Sequence, residues 1–360
     1  MNILDLVKPV NILAYWDNVK ADQSTYLGER LFPATKIQGL ELSKINGSAG
    51  LPVQLKASAF DTQATYRDRL SISVTKQNMP FFRERMKIDE QTRQQIMAIS
   101  NDAILSTYVG RIFDDTSNLL RGARATRERM IMQLISTGTI SIKGNGVKLD
   151  YNYNLSKKQK VKASTSWADT TNSKPLQDIS DWMDDFRTNF HVGLQYAVMT
   201  TKTFNLIKAS DSIKQILYPN ASNVGGQFVS TIQVKELMER TLGITVLFND
   251  NAFADEVGGA GKQFFPDNVV TFLPVGGVLG NMVFGTTPEE VDLYTNPKFA
   301  GDTRITDTGV AVYTRVIDHP VNVETIVSQI CLPSFGADVD GGAGRILIAN
   351  VDWWNSLLLG

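Results

Sequence analysis

The chain has 360 residues, 42% of them hydrophobic and 20% charged, with a net charge of −1; that is an ordinary globular composition with enough length for a sizeable core. The balanced charge argues against a protein built to grip nucleic acid through many phosphate contacts. No apolar run reaches the roughly 20 residues that span a bilayer, a single cysteine (Cys331) rules out an intrachain disulfide, and two histidines (His191, His319) are too few for a histidine-rich metal site.

In chain order, the opening "MNILDLVKPVNILAYWDNVK" lacks the basic start, clean apolar stretch and small-residue cleavage site of a secretion signal. Residues 1–30 read as an arm with one or two helical turns. Pro33 biases Phe32 toward extended backbone, and residues 35–79 are strand-like throughout. "LPVQLKASA" places Leu51, Val53, Leu55, Ala57 and Ala59 on one face. "ATYRDRLSISVTKQ" sets Tyr66, Asp68, Leu70, Ile72 and Val74 against Arg67, Arg69 and a row of hydroxyls. This is period-two alternation, kept for roughly twice the usual strand length of five or six residues. "NGSAG" (46–50) and "FDTQ" (60–63) are turn candidates. At about 3.4 Å per residue the second run alone could reach on the order of 40 Å, whereas a compact chain of this length has a radius of gyration of about 21 Å.

Residues 88–138 are helical. "IDEQTRQQIMAISNDAI" forms one helix, and a stronger one starts at the N-cap candidates Asp115, Thr116 and Ser117 and stops at Gly138. Leu119, Ala123, Met130, Ile131, Leu134 and Ile135 fall near one face, with Arg121, Arg124 and Arg129 largely off it. Gly144-Asn145-Gly146 joins two strands into a hairpin. The basic "SKKQKVKAS" reads first as solvated surface and second as a contact with a partner or DNA. Pro175 opens an amphipathic helix with Leu176, Ile179, Trp182, Met183 and Phe186 on its apolar face. Residues 195–290 alternate: strand "YAVMT", helix "TKTFNLIKASDSIKQIL", helix "TIQVKELMERTLG" closed by Gly243, then strands "ITVLFND" and "NVVTFLP" around a Gly-rich loop. "GVAVYTRVIDHP", "VNVETIVSQICLP" and "RILIANV" return as strands.

Catalytic motifs fail on inspection. "GGAGKQ" has Glu256 and Gln263 where a phosphate loop needs Gly and Ser or Thr. "NGSAG" is not a nucleophile elbow, and "DVDGGAGR" lacks the glycine placement and final Glu of a calcium loop. Asp181 and Asp185 share a helix face, read as solvated. "QICLPSF" is an apolar setting for an inert Cys331. The sequence predicts no catalytic residue, no cofactor and no metal, hence no enzyme.

The order of the segments resembles the major capsid proteins of tailed bacteriophages, more specifically the lambda-type capsid protein E family. "ERLFPATKIQGLELSKINGSAGLP" looks like that family's lead-in to its extended loop, and "RATRERMIMQLISTGTISIKGNGV" like the end of its long helix running into a hairpin. "SWADTTNSKPLQDISDW" is similar to its Trp-containing loop. "KQFFPDNVVTFLPVGGVLGNMVFGTTPEE" carries the strongest likeness, and "DHPVNVETIVSQICLPSF" resembles its closing strands.

The resemblance implies an α+β, Hong Kong 97-like capsid fold with an N-arm (1–34), an extended β-hairpin loop (35–87) and a peripheral domain holding a long spine helix and β-hairpin (88–190). It further implies an axial domain (191–285) and returning strands shared by the two (286–360). About 30 residues precede the loop in this sequence, so no large fused scaffolding domain is expected. The expected function is a virion shell protein, assembled in the host cytoplasm, that forms hexamers and pentamers of an icosahedral head. That head would enclose double-stranded DNA without sequence-specific or tight binding, and no membrane is involved. Separate scaffolding, portal and head-decoration proteins are the expected partners.

Leu51, Val53, Leu55, Tyr66, Arg67, Asp68, Arg69, Leu70, Ile72 and Val74 would lie on a neighbouring subunit, and Leu119, Arg124, Met130 and Leu134 would set the long helix. Some related shells crosslink a lysine to an asparagine. Lys44 and Lys56 lie in the loop without a recognisable partner, so no crosslink is expected. The alternatives are an encapsulin-like compartment, a tail or baseplate protein that forms rings or tubes, and a soluble α/β enzyme.

Overall fold

The computed structural model describes residues 8–21, 25–47, 72–98, 102–220, 225–295, 302–317, 319, 322–335 and 345–352. In chain order these hold α1 (Pro9–Ala21), α2 (Leu27–Leu31), β1 (Ala34–Lys36), β2 (Glu41–Gly47), β3 (Ile72–Asn78), β4 (Phe81–Ile88), α3 (Glu90–Ala98) and the 36-residue α4 (Asp102–Thr137). Next come β5 (Thr139–Gly144), β6 (Val147–Asn152), a 3-10 turn (Lys157–Gln159), β7 (Lys160–Lys162), α5 (Pro175–Phe190), β8 (Leu194–Met199), α6 (Thr201–Ala209), α7 (Asp211–Leu217), α8 (Thr231–Leu242) and β9 (Thr245–Phe248). The chain ends with β10 (Ala252–Phe253), β11 (Lys262–Gln263), β12 (Val269–Pro274), β13 (Gly280–Phe284), α9 (Pro288–Thr295), β14 (Thr303–Thr306), β15 (Val310–Ile317), β16 (Asn322–Phe335) and β17 (Leu347–Asn350).

The chain packs as two units. The first contains the segments up to Asn46, Ile72–Glu128 and Gly280–Ser334. Its six-stranded sheet runs β1-β13-β16-β15-β14, with β4 also paired to β16. β16 is the central strand, and its 14 residues are almost all buried, as a strand covered on both faces must be. α1 contributes Ile12 and Trp16 to this unit's interior, and its Tyr15 stacks on Phe113 with ring centroids 5.3 Å apart.

The second unit contains Arg129–Leu279 and the chain from Phe335 onward. Its five-stranded sheet is ordered β7-β17-β12-β8-β9, with β8–β9 and β17–β7 parallel and the other two pairings antiparallel. The core behind it is aromatic. Trp167 and Trp182 stack at 5.9 Å, Phe272 meets Trp182 edge-on at 6.3 Å, and Phe186 and Phe204 are fully buried. α5 begins with Pro175 at its first turn and ends at His191, which sits in the left-handed region at φ 56° and caps the helix with its backbone N–H. α8 carries a capping box between Ser230 and Gln233, and Gly243 closes it at φ 67°.

Several sequence expectations change. α1 is a 13-residue helix where one or two turns were predicted. α4 does not start at Asp115–Ser117 but runs through them from Asp102. Thr116 and Ser117 are buried, and the Thr116 hydroxyl donates to the Ile112 carbonyl 3.0 Å away instead of capping. The helix predicted across 201–217 breaks at Ser210, which adopts extended backbone and donates its hydroxyl to the Ser173 carbonyl at 3.0 Å. Arg124, placed off the apolar face, is 3% exposed. The hairpin at Asn145-Gly146 stands as predicted, with both residues at positive φ and β5 paired to β6 from Thr139↔Asn152 to Gly144↔Val147.

Candidate assembly surface

The long alternating segment enters the structure at its root. β2 and β3 pair with each other and, among the described residues, with no third strand. The Met79 N–H donates to the Leu40 carbonyl at 3.0 Å, and Lys76 pairs with Glu41 at 3.1 Å on an exposed surface. A two-stranded ribbon is marginal in water by itself. Leu51, Val53, Leu55, Tyr66, Arg67, Asp68, Arg69 and Leu70 lie outside the described residues, as does Lys56. Ile72 and Val74 occupy alternate positions of β3, and Lys44 lies in β2.

From β3 the chain passes directly into the six-stranded sheet. β4 runs antiparallel to β16 from Phe81↔Ile330 to Ile88↔Val323. β16 is the only partner of β4 among the described strands, and residues 83–87 are all exposed. Ion pairs fix this rim. Glu324, 4% exposed, accepts from Arg315 at 2.7 Å and from Arg85 at 3.1 Å. Glu289 pairs with Arg83 at 2.6 Å and accepts from the Ser328 hydroxyl at 2.7 Å.

A second charged group is buried along α4. Arg124 makes two hydrogen bonds to Glu29, each 2.9 Å, and the guanidinium lies over the Tyr26 ring. The bonded carboxylate pushes the Arg124 pKa up, against the opposing effect of burial. Arg127 donates to Gln329 at 3.0 Å and to Asp307 at 3.2 Å, and Gln329 in turn donates to the Ala123 carbonyl. Glu128, 1% exposed, accepts the Gly28 N–H at 2.9 Å. One turn of helix thus holds the segment after α1, the β14–β15 turn and the central strand.

Of the helix residues singled out from sequence, Met130 and Leu134 are buried, Leu119 is half-buried and Arg124 is the buried half of an ion pair. Sequence reasoning missed Arg127, Glu128 and Glu324. The signal was present for two of them, because Arg124, Arg127 and Glu128 stand at i, i+3 and i+4 and must share a face.

Burial pushes the Cys331 thiol up to about 12, against a smaller opposing pull from Arg127, so the thiol stays protonated at neutral pH and is no nucleophile. Among the described residues no group of three or more His, Cys, Asp or Glu side chains is placed to hold a metal ion, and no helix is long and apolar enough to cross a membrane.

The family model described as phage major capsid protein E matches residues 8–305. The chain belongs to that family. This capsid protein also matches solved structures across nearly its whole length. A protein described as a prophage capsid protein of E. coli CFT073 aligns over 96% of this chain and 99% of its own, at 13% identity and a TM-score of 0.60. A phage-related protein from Bordetella bronchiseptica RB50 aligns over 96% and 97%, at 13% identity and a TM-score of 0.52. No curated protein sequence matches the chain. The fold is the Hong Kong 97-like capsid fold, and the capsid protein is a structural shell component of the virion with no enzymatic role.

Proposed function

We propose that this capsid protein builds an icosahedral head of hexamers and pentamers by laying its extended ribbon on a neighbouring subunit. The ribbon's root carries the reading: β2 and β3 pair only with each other among the described residues, while the sequence beyond them keeps strand alternation far past ordinary strand length. A ribbon that long gains its order by burying one face on a second copy. Leu51, Val53, Leu55, Leu70, Ile72 and Val74 supply the apolar face, and Tyr66, Arg67, Asp68 and Arg69 reach polar partners.

In this reading residues 1–34 are the N-arm and 35–87 the extended loop. Residues 88–190 form the peripheral domain with its spine helix, 191–285 the axial domain, and 286–360 the strands shared by both. Contacts that are individually weak reinforce one another around closed rings and let misplaced copies leave. The head encloses double-stranded DNA, is assembled in the host cytoplasm, and works with separate scaffolding, portal and decoration proteins. It needs no covalent crosslink through Lys44 or Lys56.

Electron microscopy of the expressed protein tests this. The wild-type chain is expected to give capsomers or closed shells. A variant with Leu70, Ile72 and Val74 changed to Ser is expected to stay folded and unassembled. Shells formed equally well by that variant would overturn the role given to the ribbon.

A further inference from the structure

One predicted feature has no place in the shell geometry above, the basic run at residues 157–162. Gln159 is buried and pins it. Its side chain accepts the Ser156 N–H at 3.0 Å and donates to the Ile346 carbonyl at 3.3 Å. Downstream, β7 pairs in parallel with β17, Ile348 opposite Lys160 and Asn350 opposite Lys162, and the Ala163 N–H donates to the Asn350 carbonyl at 2.9 Å. With the backbone so held, strand alternation sends Val161 toward the core and Lys160 and Lys162 outward. Lys157 and Lys158 project from the preceding turn, and all four lysines are exposed.

None of the four forms an ion pair with a described residue. Lys158 donates to the neutral side-chain oxygen of Asn189. On α5, which packs beside the turn, Asp184 is paired with Arg187, while Asp181 is bonded to the neutral Gln177 amide and keeps its charge. Counting both exposed carboxylates, Asp181 and Asp185, against the four lysines still leaves the ridge positive. In a chain of 36 cationic and 37 anionic side chains, four cations within six residues, none in an ion pair with a described residue, are a local departure from neutrality.

We propose that Lys157, Lys158, Lys160 and Lys162 form a phosphate-contacting ridge that touches the backbone of the DNA held inside the shell. The chemistry favours a polyphosphate over a protein. Lysines are point charges that accept a mobile phosphate row without the bidentate geometry an arginine site would impose. Protein interfaces deplete lysine from their cores and place aromatic anchors there, and the exposed residues of this ridge include none. The contact is sequence-independent and weak per copy, so a neutral subunit and a DNA-lined shell are compatible: many copies each supply a few contacts. The identification of the polyanion as enclosed DNA rests on the shell reading, whereas the phosphate chemistry of the ridge does not.

The competing role is edge protection, because β7 ends the five-stranded sheet and edge lysines deter strand pairing. Binding of the purified chain to a labelled random-sequence duplex separates the two. Four phosphate contacts predict binding that weakens about 100-fold between roughly 50 and 200 mM salt. Replacing all four lysines by Gln should abolish most binding and flatten the salt dependence, and replacing all four by Arg should retain both. Wild-type-like binding by a folded Gln variant, or a Gln variant that only aggregates more, overturns the proposal. If the wild type binds duplex through the ridge but never forms shells, the shell reading fails and the ridge stands. Normal shells with unchanged DNA binding by the Gln variant give the reverse.

Discussion

The two packing units bury different things. The second fills its interior with Trp167, Trp182, Phe186, Phe204 and Phe272, and Asp178 is the one charged residue fully buried there among the described residues. The first unit buries Arg124, Arg127, Glu128, Glu290 and Glu324 alongside its apolar side chains. An aromatic core gains from burial in any geometry that excludes water. A buried ion pair gains only when its partners sit where they belong, and breaking it leaves a charge in a poor medium. The unit that carries the ribbon root and the rim strand β4 is thus held by interactions that specify position. The unit without them is held by interactions that mainly supply stability. If the ribbon meets a neighbouring copy as proposed above, that division keeps its root at a fixed angle.

The comparison breaks first at Arg127. Arg127→Ala removes the cation 3.2 Å from the Asp307 carboxylate, whose side chain is 7% exposed, and the donor to the Gln329 side-chain oxygen. The expected cost is about 3–5 kcal/mol in chemical unfolding. If position and not stability is what the pair supplies, Arg127→Met combined with Asp307→Asn should recover most of the loss, since both charges are then gone together and Asn tolerates the positive φ at 307. The combined variant should nevertheless assemble less regularly, seen as malformed particles in the microscope. Full stability with regular shells would remove the distinction between the units. In the second unit Phe272→Ala should also cost about 3–5 kcal/mol, as a cavity. No second substitution that merely deletes a charge should restore it.

How much of this was legible in the sequence follows from the same contrast. α5 was read to its ends because Pro175 marks its start and the stripe from Leu176 to Phe186 has one period. The β5–β6 hairpin was read because Asn145-Gly146 demands one turn type. β16 was read from its β-branched and apolar residues, Val323, Ile326, Val327, Ile330 and Leu332, even though the buried Asn322, Glu324, Thr325, Ser328 and Gln329 interrupt the run. Burial of Arg124 was not legible, because its partner Glu29 is 95 residues away and nothing local announces the pairing. The start of α4 was misplaced for a related reason. Asp115, Thr116 and Ser117 are good caps in isolation, and only the tertiary burial of Thr116 and Ser117 shows that the helix continues through them. The ribbon was legible as a pattern, and most of the residues assigned to its contact face lie outside the described ones.

A smaller effect sharpens the contrast at Asp178, the charged exception in the aromatic core. Its carboxylate accepts from the Trp167 indole at 2.9 Å and from the Ser164 hydroxyl at 2.6 Å. Asp178→Ala leaves a buried indole N–H unsatisfied and should cost about 1–3 kcal/mol. The Trp167 fluorescence should shift with it. Asp178→Asn, which keeps an acceptor oxygen, should recover part of the stability and most of the spectrum.

The smallest effect belongs to Cys331, in the central strand of the first unit. Its folded pKa is pushed up to about 12 by burial, while an unfolded thiol titrates near about 8.5. Between those values the unfolded chain has given up the proton and the fold still holds it, so the unfolded state binds fewer protons and stability must fall as pH rises. The contribution is complete below about pH 8 and is lost upward from there, approaching about 1.4 kcal/mol per pH unit. Cys331→Ala should lower stability at pH 7 by the loss of packing, yet remove this slope. Unfolding free energies at pH 8, 9 and 9.5 for the two proteins should therefore converge. Because Arg127 pulls the thiol downward, Arg127→Ala should extend the declining range to higher pH. Parallel pH profiles for wild type and Cys331→Ala would mean that the thiol is not sealed inside the sheet, and that the interior of the first unit is wetter than its buried charges require.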